Sequence, residues 1–316
     1  MKSSRSSGWG RTACCAGVLA SALLTSCGGG SQATIFTASR VIAFGDEFSV
    51  INAYGRKYTV NGLVAGSTTT VDCLANPIWI QAVAASYGLF FPQCTGSVAD
   101  PVSRIYATNG AKVADLAGKI DEHLANGGFA AGDLVTVLVG ANDVVEQFAQ
   151  YPAVGEDQLM ANLDAAGAEL AAQVNRLAGL GAKVLISTIP NMGLTPYAGD
   201  RSVGSTNGNP AVLARLSTRF NDAMLSRLLN DGHKIGLIQL DEYLGAVDKA
   251  TQLGAATYAN TTTAACAVAL PNCTTNTLVA DAAGAIWLWA DDRHIGPTGQ
   301  SNLGALAVTR AQNNPF

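Results

Sequence analysis

The chain predicts a three-layer α/β/α sandwich around a central parallel sheet, and three observations carry that expectation. Leu134-Val135-Thr136-Val137-Leu138-Val139 is a near-continuous apolar, β-branched run closed by Gly140, the pattern of a strand covered on both faces. Val41 to Phe44 is a second apolar run, and it breaks abruptly into Gly45-Asp46. Around and beyond these two, strand-like runs alternate with stretches of helical spacing over the whole span, which implies parallel strands joined by crossover helices.

Each element has its own signal. The turn after Val41–Phe44 delivers polar side chains at the carboxyl edge of a strand, where α/β enzymes hold reactive groups. Asn52 to Thr70, rich in Gly, Thr and Tyr, reads as irregular loop, and Leu74 to Tyr87 as a helix with Ile78, Ile80, Val83 and Ala84 inward. Phe90 to Ser103 is loop; Arg104 to Thr108 is a short strand running into Asn109-Gly110. Val113 to Leu124 is amphipathic, with Leu116, Ile120 and Leu124 every four residues, His123 on the solvated side, and Asn126-Gly127-Gly128 as the stop. After Gly140-Ala141-Asn142-Asp143, a long helix spans Gln158 to Leu180 and the next strand Val184 to Ile189, broken by Pro190. A polar loop, Gly199 to Asn209, precedes a helix from Pro210 to Leu229 and a strand from Ile235 to Leu240. Residues 250–280 are nearly free of charge and read as a loop excursion; Trp287 to Ala290 leads to Asp291, and Pro297 to Ala311 is a terminal helix.

The first residues read as a targeting segment. Lys2, Arg5 and Arg11 precede the short apolar core Ala13–Leu24, and Leu24-Thr25-Ser26-Cys27 has the form of a bacterial lipobox, with Cys27 as the lipidated residue. Residues 1–26 are thus expected to be a lipoprotein signal peptide, 27–39 a flexible tether opening with Gly28-Gly29-Gly30-Ser31, and 40–316 one domain. Gly28 stands where an inner-membrane retention signal would need Asp, so an exported lipoprotein of the outer membrane, held there through Cys27, is the expected location.

Without Lys2, Arg5 and Arg11, 16 of the 19 Lys and Arg remain against 23 Asp and Glu. An acidic chain with no basic cluster argues against a nucleic-acid partner. Beyond the leader stand Cys73, Cys94, Cys266 and Cys273, an even number that suggests disulfides in an exported protein. Proximity favours Cys73–Cys94 and Cys266–Cys273, although four cysteines allow three pairings. A zinc site is disfavoured, because no C-x-x-C spacing or adjacent histidine is present, and no phosphate-cradling glycine motif suggests a nucleotide cofactor.

Four blocks, Gly45-Asp46, Asn109-Gly110, Gly140-x-Asn142-Asp143 and Asp291-x-x-His294, occur in the order found in the SGNH (GDSL) hydrolase family. The chain resembles that family from about Arg40 to Ala311, and its cysteine-bearing loop resembles the branch of exported bacterial lipases and haemolysin-like esterases. The resemblance implies a flavodoxin-like α/β/α fold and hydrolysis of an acyl ester of a lipid or glycan, with no cofactor. It also implies roles: Asp291 orients His294, the general base, while the Gly110 N–H and the Asn142 side-chain amide form the oxyanion hole.

One position departs from the pattern. Glu47 follows Gly-Asp where the family places its nucleophilic serine. A carboxylate is normally ionised and needs no base to activate it. It also reaches roughly two bond lengths, about 2.5 Å, beyond a serine oxygen. Glu47 can therefore pair with protonated His294 and place an oxygen between Gly110 and Asn142, leaving a silent, ligand-binding surface lipoprotein. It can instead attack the ester itself or serve as base to a water, or the nucleophile can shift to Ser49.

Overall fold

The computed structural model describes residues 36–199 and 209–316. The expected signal peptide, the lipidation site Cys27 and most of the tether lie outside the described residues, as does most of the loop Gly199–Asn209. Phe36 to Ser39, read above as the end of the tether, belong to the domain. The Phe36 ring packs edge-on against Tyr87 and Phe316, Ala38 is buried, and the Ser39 N–H donates to Gly132 O.

The chain runs β1 (Arg40–Gly45), α1 (Trp79–Ala85), β2 (Arg104–Ile105), α2 (Val113–Ala125), β3 (Asp133–Leu138), α3 (Ala141–Phe148), α4 (Glu156–Gly179), β4 (Lys183–Ser187), α5 (Pro196–Gly199), α6 (Pro210–Leu225), β5 (Ile235–Ile238), α7 (Leu240–Gln252), β6 (Asn260–Ala264), β7 (Trp287–Trp289) and α8 (Pro297–Asn313). The main sheet is parallel throughout, in the order β2-β1-β3-β4-β5. β3 is buried at every residue, as its unbroken apolar run requires. Helices α1 and α8 pack together, while α2, α4 and α6 form a second layer, so the expected three-layer sandwich is present. At its lower edge the Arg40 guanidinium donates to both carboxylate oxygens of Asp133, at 2.9 and 2.6 Å, tying β1 to β3.

Chain order reverses direction across β1, with β2 on one side and β3 on the other. A crevice opens at such a switch point beyond the carboxyl ends of the strands. Gly45, at the end of β1, makes the turn there possible. Its φ is +134°, and a Cβ would sit 2.0 Å from Leu138 O, so no other residue fits.

Several local expectations are corrected. The helix expected from Leu74 begins only at Trp79, because Cys73, Ala75 and Asn76 turn their carbonyls onto Lys57 Nζ at 3.0, 2.6 and 2.9 Å. Lys57 is fully buried, and burial lowers its pKa to about 8. His123 is 1% exposed, not solvated. The buried stripe of α2 is Val113, Leu116, Ile120 and His123, so spacing of three places His123 inside against Tyr106, Phe44 and Phe129. The cysteine-bearing excursion is not wholly loop, since β6 pairs in parallel with β7. Both disulfides take the proximal pairing, Cys73–Cys94 and Cys266–Cys273.

Candidate active site

Each block reaches the same crevice from a different element. Glu47 opens a single 3-10 turn after β1, capped by Asp46 Oδ1, which accepts the Phe48 N–H at 3.1 Å. Gly110 lies in the loop after β2 with φ +74°, and a Cβ there would meet nothing within 4 Å. Glycine is thus needed at 110 for its backbone conformation, which turns the N–H inward. Asn142 sits in the first turn of α3, directly after β3. Its side chain does not cap that helix. It donates from Nδ2 to Glu47 Oε2 at 3.0 Å and to Ala111 O at 3.1 Å.

Asp291 and His294 occupy a tight return after β7. The Ala290 N–H donates to His294 O and the Gly296 N–H to Leu288 O, which folds the loop back on its own strand. The disulfide loop stiffens it from behind, with the Ala265 and Cys266 N–H groups donating to Trp289 O and Ala290 O. The N–H groups of Arg293 and His294 both donate to Asp291 Oδ1, at 2.9 and 2.7 Å. His294 Nδ1–H then donates to the same carboxylate, 2.9 Å from Oδ1 and 2.8 Å from Oδ2. The other ring nitrogen, Nε2, faces Glu47 Oε1 at 3.5 Å.

The Glu47 carboxylate is therefore divided. Oε1 faces His294, while Oε2 accepts the Gly110 N–H at 2.9 Å and the Asn142 amide at 3.0 Å. Free space among Glu47, Phe48, Asn142, Val145, Arg293 and His294 is only about 10 Å3, at the lower limit for one water molecule.

Charge follows the same geometry. Burial alone would lower the His294 pKa, but hydrogen bonds and charge from Asp291 and Glu47 outweigh it and raise it to about 10. Burial would raise Glu47 and Asp291, yet the hydrogen bond and charge of His294 bring both below their ordinary values. At neutral pH the centre is an imidazolium between two carboxylates. Asp46 differs: burial, reinforced by the charge of Glu47, pushes its carboxyl well above the ordinary range, and Oδ2 has no partner among the described residues. Burial likewise raises Asp143 to about 6; its Oδ2 accepts the Val113 N–H at 3.1 Å and anchors the start of α2.

Ser49 is not available. It is fully buried, and its Oγ accepts the Trp79 indole N–H at 3.2 Å. His233 lies exposed and far along the chain, with Nδ1 on Pro315 O. Tyr58 was not singled out by the sequence. Its ring centroid stands 6.0 Å from that of His294, and it comes from a Gly/Thr/Tyr-rich loop with no periodicity to mark it. Phe48, whose ring centroid is 5.4 Å from that of His294, is legible only as a neighbour of Glu47.

Among solved structures, an extracellular lipase from Streptomyces rimosus is 17% identical, covering 87% of this chain and 100% of that one at a TM-score of 0.47. A member of the lipolytic protein G-D-S-L family from Veillonella parvula is 13% identical, covering 85% and 96% at 0.44. Axe2, an acetylxylan esterase from Geobacillus stearothermophilus, is 14% identical, covering 89% and 98% at 0.43. No curated protein matches the chain in sequence. The profile of the family described as GDSL-like Lipase/Acylhydrolase matches residues 41–306, from the first residues of β1 well into α8. The chain belongs to the GDSL-like lipase/acylhydrolase family and has the fold of its esterase-type hydrolases.

Proposed function

We propose that the chain carries the acyl-ester site of its family in a self-occupied form, built for an acyl ester of a lipid or glycan and held closed by Glu47. One observation carries this reading: Glu47 Oε2 accepts both hydrogen bonds, from Gly110 N–H and Asn142 Nδ2, that an ester's developing oxyanion would need. A substrate carbonyl finds those donors taken. His294, held protonated by its two carboxylates, has no lone pair at Nε2 to accept a proton at neutral pH. In this state Glu47 fills the site and the protein does not turn over ordinary esters.

Turnover of short and medium p-nitrophenyl esters by the purified chain tests the reading. The unaltered protein is expected to be inert and Glu47→Ser to gain activity, because serine frees the donors and leaves His294 only Asp291 as partner. Adding Asn142→Ala to Glu47→Ser should then lower kcat by on the order of 10²–10³, as loss of one oxyanion donor does. Turnover by the unaltered chain that His294→Ala abolishes would show Glu47 itself at work and overturn the reading.

We also propose export and lipidation at Cys27, from the lipobox Leu24-Thr25-Ser26-Cys27. The two disulfides favour an oxidising compartment, and the outer membrane follows from Gly28. Expressed in a bacterial host, the chain should incorporate labelled fatty acid and sediment with membranes, and Cys27→Ala should abolish both. Label retained by Cys27→Ala sinks the assignment.

A further inference from the structure

Two adjoining depressions, of about 440 and 350 Å3, share Thr108, Lys119 and Glu122 and form one groove. It lies between the edge segment Arg104–Thr108 and helix α2, and it ends at Gly110, whose N–H holds Glu47. Along α2 it extends from Asn126 to Asp115, roughly 16 Å at the helical rise of 1.5 Å per residue.

The walls of this groove are polar, and two buried atoms on them lack a partner among the described residues. His123 meets the Tyr106 hydroxyl at 3.1 Å through Nδ1, while its buried Nε2 has no partner of hydrogen-bond geometry among the described residues. Gln93 Oε1 is unpartnered in the same groove. Buried polar atoms are costly to leave unsatisfied, so two beside one groove point to a ligand with hydroxyls to offer them.

Charge nearly cancels there. Arg40 is paired with Asp133 and Lys119 with Glu122, while Arg104, with Nη1 on the carbonyls of Pro101 and Ser103, keeps its charge at one end and Asp115 keeps the opposite charge at the other. Between them stand neutral groups, Gln93, Thr108 and the Oδ1 of Asn126, whose Nδ2 donates to Glu122 O at 2.9 Å, beside the half-buried ring of Tyr106. Such a surface suits sugar rings better than a phosphate or an alkyl chain. The apolar cavity of about 170 Å3 beneath Leu74, Pro77, Leu89 and Phe91 shares no residue with Glu47, Gly110, Asn142 or His294.

We propose that this groove binds a hydroxyl-rich, near-neutral glycan chain whose ester is presented at Gly110. The assignment rests on the reading of Gly110 and Asn142 as the acyl site, and it makes the glycan, not the lipid, the ligand class. The test is binding to the full chain with Glu47 unaltered, followed by backbone amide shifts. The probes are cellotetraose, tetra-N-acetylchitotetraose and, as the apolar counterpart, dihexanoyl phosphatidylcholine below its micelle concentration.

At least one tetrasaccharide should bind saturably and shift the amides of Tyr106–Gly110 and Lys119–Asn126. Gln93→Leu should weaken that binding about tenfold or more without moving the thermal midpoint, and Asn126→Ala should weaken it similarly while lowering the midpoint through the lost bond to Glu122 O. Absence of saturable binding by both tetrasaccharides, indifference to both variants, or the phospholipid shifting these amides instead overturns the proposal. An inert Glu47→Ser protein that still binds a tetrasaccharide through Gln93 and Asn126 supports the groove while overturning the acyl-site reading.

Discussion

Glu47 and Asp46 are adjacent buried acids with opposite fates, and the difference lies in their partners. Glu47 meets an amide N–H, a carboxamide and an imidazolium, which together overcome burial and keep it ionised. Asp46 has one N–H on Oδ1, no partner on Oδ2 among the described residues and a carboxylate next door, so burial prevails and its pKa rises well above the ordinary value. Because Asp46 is raised in the folded state, holding a proton there costs stability at every pH above its ordinary value of 3.8. Asp46→Asn keeps the acceptor for Phe48 and removes the titration. Its melting temperature at pH 7 should equal or exceed that of the unaltered chain, and the gain should vanish near pH 3. A loss at pH 7 would mean the Asp46 proton has a partner of its own. No sequence signal separates these two neighbours, because partners donated from residues 110, 142 and 294 decide the matter.

At the scale of elements, what could be read from the residues follows how much each element depends on distant contacts. β1, β3 and β4 announce themselves, since a strand buried on both faces needs an apolar run wherever it sits. β6, Asn260-Thr261-Thr262-Thr263-Ala264, has no such run and exists because β7 lies beside it. Helix α7 was hidden because the strand reading ran on to Leu240, which is instead its first residue. The Asp291–His294 return is legible as a motif, yet its rigidity comes from the disulfide loop bonded to Trp289 and Ala290. The two disulfides should contribute unequally. On the loop-entropy account, the separation of 21 residues at Cys73–Cys94 is worth about 3.3 kcal/mol and that of 7 at Cys266–Cys273 about 2.4 kcal/mol. Denaturant unfolding of paired Cys→Ser variants measures both. A Cys266/Cys273 pair costing more than the other would assign that bridge a packing role beyond its entropy.

For the whole molecule, the charged centre gives stability a pH window with a definite shape. His294, raised from 6.5 to about 10, contributes fully below pH 6.5 and loses its contribution as pH climbs through about 10. Glu47 and Asp291, lowered from 4.5 and 3.8, contribute fully above those values and lose it as pH falls below them. The stability difference between the unaltered chain and Glu47→Gln should therefore be greatest between about pH 4.5 and 6.5 and shrink steadily toward pH 10. A difference that grows above pH 7 would show that His294 is neutral beside Glu47. Three of the blocks follow β1, β2 and β3 and gather at one edge because a parallel sheet puts every strand's carboxyl end on one side, whereas Asp291–His294 arrives from β7, outside that sheet. How full that edge is, with about 10 Å3 left, depends on the length of one side chain in three dimensions.

Glu47 is also joined by its own backbone to the donors it occupies. A free anion must displace a group whose effective concentration is millimolar or higher. Reagents that label a reactive serine by forming an oxyanion mimic find neither a serine at 47 nor open donors at 110 and 142. If the proposed self-occupied site holds, this chain should stay dark in a labelled mixture of its relatives, and counting enzymes by that label would count it out.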